Sequence, residues 1–197
     1  MKPLPYADPS ARVIFYAVLV AFVALELRTR VRSRLNPEGA ASDRLSFAFI
    51  GLTFGAGVGA AFTLAANVHG ATFRAGRWPF FIAGIVLMAA GIAIRQWAVA
   101  MLGRYFTTDV RVHAGQAVID TGPYRWVRHP SYTGLLMTLI GIGLALGNWA
   151  ALLVLIVLPA IGIVNRIRVE ERALSEGIGE PYRRFAATRA RLIPHVW

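Results

Sequence analysis

Five apolar runs, set apart by arginine-rich or polar stretches, constrain this 197-residue chain more than any other feature. They cover about 13–27, 45–68, 79–102, 134–146 and 149–163. In hydrocarbon a chain must satisfy its own N–H and C=O groups, and a run of roughly 20 apolar residues does so as a helix. The rest of the composition agrees: hydrophobic residues make up 56% and the mean hydropathy is +0.54, far above a soluble domain. The expected fold is therefore one all-α membrane domain over 1–197. It has about five transmembrane helices, near 11–28, 45–67, 79–102, 131–146 and 149–166. A C-terminal helical hairpin and an amphipathic cytoplasmic tail complete it. Residues 1–78 form a two-helix N-terminal part and 79–197 the core.

The first run is not expected to be a cleaved signal peptide, because its cluster Arg28, Arg30, Arg32 and Arg34 follows the run instead of preceding it. The formal net charge of +11 is carried mostly by arginines beside apolar runs. That placement reads as orientation and contact with anionic headgroups, so membrane lipids and not nucleic acid are the expected partners. With Arg95 set aside, sixteen of the 21 lysines and arginines fall on one side of the expected topology and four on the other. The asymmetry puts the N-terminus outside and the C-terminus in the cytoplasm. With no cysteine in the chain, disulfides and thiol nucleophiles are excluded.

Several residues inside the runs carry expectations of their own. Glu26, in the last turn of the first, is expected to pair with Arg30 four residues on, or to snorkel. Gly51, Gly55 and Gly59 make a small-residue stripe expected to receive another helix of the same chain, a homodimer face being the lesser alternative. Gly84, Met88, Gly91 and Arg95 share one helical face, which points Arg95 into the bundle. There it either serves function or snorkels to headgroups. Trp78 reads as an interfacial anchor. The loop from about Gly103 to Thr121, with Asp109, Arg111, His113 and Asp120, is long for a connection, and its apolar alternation argues for order. A strand there lacks an evident partner. Gly147-Asn148 is a tight turn joining two short helices.

Between the third and fourth runs lies Gly122-Pro-Tyr-Arg-Trp-Val-Arg-His-Pro-Ser-Tyr-Thr-Gly134. Pro130 suits the first turn of a helix, which places Arg128 and His129 at the mouth of the fourth helix. The hairpin then returns Arg166, Glu170 and Glu171 to the same membrane face. Arg166 and Glu170, four apart, share a helical face, and by themselves they would be an exposed ion pair of little worth. No metal site is expected, because neighbours Glu170 and Glu171 diverge by about 100° around a helix.

Taken together, Gly122-Pro-Tyr124, Arg128-His-Pro-Ser-Tyr132, Glu170-Glu171, Gly179-Glu-Pro-Tyr182 and Arg191-Leu-Ile-Pro194 resemble the isoprenylcysteine carboxyl methyltransferase family. They also resemble the wider integral-membrane methyltransferases that include the phospholipid N-methyltransferases. The resemblance covers about 102–197. It implies S-adenosylmethionine held by the C-terminal core without a Rossmann domain. By position, cofactor contacts would fall on Gln116, Ala117, Val118, Ile119, Tyr124, His129, Pro130, Ser131, Tyr132 and Glu170, with Asp109 a weaker candidate. Gln116 stands where relatives often carry His. The resemblance puts Arg166 at the substrate, and Arg166 and Glu170 at the catalytic centre. Arg95 is a second candidate for the substrate side.

The implied activity is carboxyl O-methylation of a lipophilic small molecule or lipid-linked acid, at a site facing the cytoplasm, by a monomer or weak homodimer. A carboxylate acceptor is ionised at pH ~7 and needs no general base. Phospholipid or amine N-methylation is the main alternative. An NADPH-dependent membrane reductase of the sterol type and a non-enzymatic membrane protein are the others.

Overall fold

The computed structural model describes the whole chain except residues 1, 35–39, 42–43, 108–110, 113–114 and 195. Asp109 and His113 therefore lie outside the described residues. Among the described residues seven α-helices follow in order: α1 Leu4–Ala7, α2 Pro9–Arg34, α3 Arg44–Asn67, α4 Arg77–Leu102, α5 Pro130–Leu146, α6 Trp149–Gly177 and α7 Glu180–Thr188. Stretches within α2, α3, α4 and α6 are long and apolar enough to cross a membrane, whereas α5 is a shorter apolar helix of 17 residues. Outward side chains such as Val20, Leu52, Val86 and Leu153 stay exposed, as expected of surfaces that face hydrocarbon instead of water.

The core of the bundle is the pairing of α4 with α5. On α4 the buried positions include Gly84, Met88, Gly91 and Arg95, the single face expected from their spacing. A Cβ on Gly91 would come within 2.5 Å of the Gly134 carbonyl oxygen, and one on Gly84 within 2.6 Å of the Gly141 carbonyl oxygen. The two backbones therefore touch, the arrangement small residues permit between membrane helices. Because α4 and α6 both cover it, most of α5 is buried despite its short length.

The hairpin forms as the sequence indicates. Gly147, at φ 61°, takes the left-handed conformation that ends α5. Asn148 caps α6 by accepting from the Ala151 N–H at 3.0 Å, and its amide donates to the Val68 carbonyl at 3.0 Å. Unlike the expected end near 166, α6 runs on to Gly177, because the polar turn holding Arg166 and Glu170 contains no helix breaker. Only beyond it do Gly179 and Pro181 start a separate amphipathic helix, α7.

Two expectations for the N-terminal part are corrected. The stripe Gly51, Gly55 and Gly59 packs against no helix: a Cβ at each position would meet nothing within 4 Å. It is Gly57, two residues from either neighbour in the stripe and so on the other side of the helix, that lies against the Pro159 ring of α6, and Gly162 of α6 that abuts Thr53. Glu26 does not pair with Arg30 but reaches across to Arg95 of α4. A buried guanidinium demands a counter-ion more strongly than an exposed one does, which decides between the two partners. The strand in the long loop also has a partner after all, since β2 Arg111–Val112 pairs antiparallel with β1 Ala40–Ala41.

The helices α2 and α3 meet at the end far from the 122–134 motif, where Phe15 and Phe62 lie 6.1 Å apart. Towards the other end they splay, and a cavity opens between them.

Candidate active site

The cavity measures about 580 Å³, within the range of small-molecule sites, and joins two chemically different regions. One is an apolar slot between α2 and α3, walled by Phe22, Val23, Leu27, Phe54 and the open faces of Gly51 and Gly55. The other is a polar chamber where the start of α5 meets the emerging end of α6.

Local sequence explains the chamber. The α5 helix starts at Pro130 with His129 as its N-cap, so the 122–134 motif brings His129, Ser131 and Tyr132 to one helix mouth. Tyr132 donates its hydroxyl to Glu170 Oε1 at 2.6 Å, and Arg166 Nε donates to the same oxygen at 3.1 Å. His129 stands between two carboxylates, with Nδ1 3.5 Å from Glu170 Oε2 and Nε2 3.3 Å from Glu171 Oε1. Burial disfavours its charged form, but hydrogen bonds and charge from Glu170 and Glu171 outweigh this and raise its pKa above the usual 6.5. Arg166 is only 2% exposed and also donates from Nη1 to Ser46 Oγ of α3 at 2.8 Å. Its pair with Glu170 is thus not the exposed surface pair that spacing alone allowed.

The two glutamates divide their work. Glu170 lines the cavity. Glu171 turns away to Arg128 Nη1 at 2.7 Å and Arg191 Nη2 at 3.0 Å. Those bonds fasten the C-terminal tail, as do Arg128 N–H to the Ala190 carbonyl at 2.8 Å and His129 N–H to the Arg191 carbonyl at 3.0 Å. Thr133 Oγ1 adds a bond to the Leu192 carbonyl at 2.7 Å. The closing Arg191-Leu-Ile-Pro motif therefore clamps the segment that carries His129.

Of the residues expected at the site, the segment Gln116 to Ile119 lines the cavity, as do Tyr124, His129, Ser131 and Tyr132. Arg95 and Arg166 face it too. Pro130 does not line it; buried at the first helical position, it sets the helix start. The Ser131 hydroxyl is engaged by Arg95 Nη1 at 2.7 Å. Tyr124 reaches the Ala98 carbonyl at 3.3 Å, and burial followed by the charge of Glu170 raises its pKa, keeping the hydroxyl neutral.

Other lining residues were not among the expected contacts, although Arg128 was expected at the helix mouth. Tyr182 and Arg128 line the cavity, and among the described residues the Tyr182 hydroxyl and Arg128 Nε are buried without hydrogen-bond partners. Tyr182 lies in a quoted motif, but nothing in spacing says that α7 folds back over the chamber. Glu26 and Ser46 belong to helices without a motif, and only the tertiary fold brings them to Arg95 and Arg166.

The model of the Isoprenylcysteine carboxyl methyltransferase (ICMT) family matches residues 83–176. Among similar proteins, the uncharacterized protein YpbQ of Bacillus subtilis (strain 168) is 30% identical over 99 residues, covering 50% of this chain and 58% of that protein. Protein-S-isoprenylcysteine O-methyltransferase A of Arabidopsis thaliana is 30% identical over 115 residues, 57% of this chain and 58% of its own length. The Saccharomyces cerevisiae protein-S-isoprenylcysteine O-methyltransferase is 33% identical over 103 residues, 51% of this chain and 43% of its own. The chain thus spans less than two thirds of these relatives. A solved structure of the eukaryotic intramembrane Ras methyltransferase ICMT (isoprenylcysteine carboxyl methyltransferase) superposes with a TM-score of 0.66. That match covers 98% of this chain and 70% of the other at 17% identity, a likeness of fold. Through residues 83–176, a little under half of its length, this chain is similar to the isoprenylcysteine carboxyl methyltransferase family.

Proposed function

We propose that this protein is an integral-membrane methyltransferase that uses S-adenosylmethionine to esterify the carboxylate of a lipophilic acid, isoprenoid- or lipid-linked. The observation that carries the reading is the single cavity that runs from an apolar slot between α2 and α3 to the charged chamber around Glu170. An amphiphile with a long apolar tail and an anionic head matches those two regions.

The residues present fit the cofactor. S-adenosylmethionine supplies an electrophilic methyl group and carries an ammonium, a carboxylate and an adenosine. Glu170 offers a carboxylate for the ammonium, already oriented by Tyr132, Arg166 and His129. The Tyr182 hydroxyl and Arg128 Nε, unpartnered among the described residues, are free to donate to the acceptors of a bound cofactor. Tyr124 and the Gln116 to Ile119 segment give aromatic and apolar walls. Arg166 and Arg95 hold the acceptor carboxylate, which arrives ionised and requires no base. The contribution of the protein is then positioning and exclusion of water.

The charge asymmetry of sixteen against four supports a cytoplasmic face for the chamber, with the core in 79–197 and walls lent by the N-terminal helices. The test is transfer of a labelled methyl group from S-adenosylmethionine to N-acetyl-S-farnesylcysteine by the purified chain, followed by mild base. Release of the label as methanol is the expected result. A label that resists base would indicate N-methylation, and the absence of transfer to any lipophilic acid would remove the reading.

A further inference from the structure

Glu26 is the sole acidic residue of α2, and it lines the cavity together with the apolar Phe22, Val23 and Leu27 of that helix and with Arg95 of α4. Its carboxylate grips one edge of the Arg95 guanidinium, through Nε and through Nη2 at 2.7 Å. The third nitrogen, Nη1, is turned to Ser131, 2.7 Å from the hydroxyl and 3.4 Å from the carbonyl. The edge of Arg95 best suited to a two-pronged carboxylate is therefore already filled by one.

The chamber holds two glutamate–arginine pairs, and they differ in how many groups hold the carboxylate. Glu170 is held from three sides, by Tyr132, Arg166 and His129. Glu26 is bonded, among the described residues, to Arg95 alone. One helical turn further on, Arg30 lines the same cavity, exposed, with its guanidinium 5.9 Å from the Phe47 ring. The offset of four residues puts Glu26 and Arg30 on one face. Glu26 can thus leave Arg95 without becoming an unpaired charge in an apolar slot, a state that would otherwise be forbidding.

We propose that Glu26 is a tethered carboxylate that occupies Arg95 in the resting site, yields it to the carboxylate of an incoming acceptor, and turns to Arg30. The inference rests on the reading of the cavity as an acceptor site for lipophilic acids. It makes Glu26 a residue that sets specificity. Only a ligand with its own carboxylate can replace the one it displaces. The neutral ester product cannot hold Arg95 against Glu26, so the exchange also favours release.

The test is equilibrium binding of N-acetyl-S-farnesylcysteine and of its methyl ester to the full chain in lipid nanodiscs, without S-adenosylmethionine. Glu26→Gln keeps the shape and removes the competing charge. The acid should bind about tenfold more tightly and the ester about as before. Arg30→Gln removes the alternative partner and should weaken the acid alone. In the double variant the Arg30 effect should vanish, a coupling that a purely structural ion pair does not produce. If Glu26→Gln weakens the acid, or shifts acid and ester equally, Glu26 is a structural lock and the inference falls. Should Glu26→Gln fail to fold, Arg30→Gln still decides by itself, since equal effects on acid and ester contradict the exchange. Methyl transfer by the wild-type chain is measured on the same acid. Transfer together with an acid affinity unmoved by Glu26→Gln removes the inference only. Binding of the acid by no variant removes the reading of the site as well.

Discussion

Replacing each member of the Glu170-Glu171 pair by glutamine should give two different defects, because the neighbouring carboxylates face different ways. Glu170 lines the cavity and accepts from Tyr132 at 2.6 Å and Arg166 at 3.1 Å. If it also receives the ammonium of S-adenosylmethionine, Glu170→Gln removes one enclosed charge-assisted bond. Such a bond is worth about 1.5–3 kcal/mol, or roughly ten- to a hundredfold in cofactor affinity. Glu171 instead ties the tail to the α5 mouth through Arg128, His129 and Arg191. Its glutamine variant should lower the melting temperature and leave the affinity of the folded protein within about threefold. Isothermal titration with S-adenosylmethionine and a thermal melt on the same detergent-purified variants separate the two effects. Equal cofactor affinities for wild type and Glu170→Gln would refute the division, as would a larger affinity loss for Glu171→Gln.

Three further outcomes are expected. Arg166→Lys keeps the charge but loses the planar fork that spans Glu170 and Ser46, so methyl transfer should fall while cofactor affinity stays near wild type; normal turnover would remove Arg166 from acceptor binding. Gly91→Ala drives a Cβ to 2.5 Å from the Gly134 carbonyl oxygen and should cost about 1–3 kcal/mol, visible as a lowered melting temperature, whereas Gly55→Ala meets open space and should melt like wild type. His129 has a folded pKa raised above 6.5, so its contribution to stability is complete below pH ~6.5 and is lost as pH rises through the raised value. The stability gap between wild type and His129→Gln should therefore shrink towards pH ~9, and a gap that widens with pH would contradict the assignment.

The helices were legible wherever hydropathy or a single turn residue decides them. The Gly147-Asn148 hairpin, the start of α5 at Pro130 and the inward face of α4 all follow from local rules. What the sequence hid was pairing over distance. The spacing of Gly51, Gly55 and Gly59 is that of a packing stripe, but whether a helix fills such a stripe depends on the splay of α2 from α3. Glu26 and Arg30 satisfy the local pairing rule, yet the burial of Arg95, 69 residues away, outweighs it. At the site, the 122–134 motif and Glu170-Glu171 were readable as chemistry. Ser46 of α3 and Tyr182 of α7 were not, because a lone hydroxyl acquires a role only when the fold encloses it.

The proposed cavity brings a lipophilic carboxylate to the methyl group of S-adenosylmethionine. It is tested most directly by incubating the purified chain, in lipid, with S-adenosylmethionine labelled in the methyl group and with N-acetyl-S-farnesylcysteine. The expected result is a labelled product that mild base converts to methanol, a product reduced in Glu170→Gln at sub-saturating cofactor and absent when the methyl ester replaces the acid. Undiminished labelling of the ester, or a product stable to base, would contradict it.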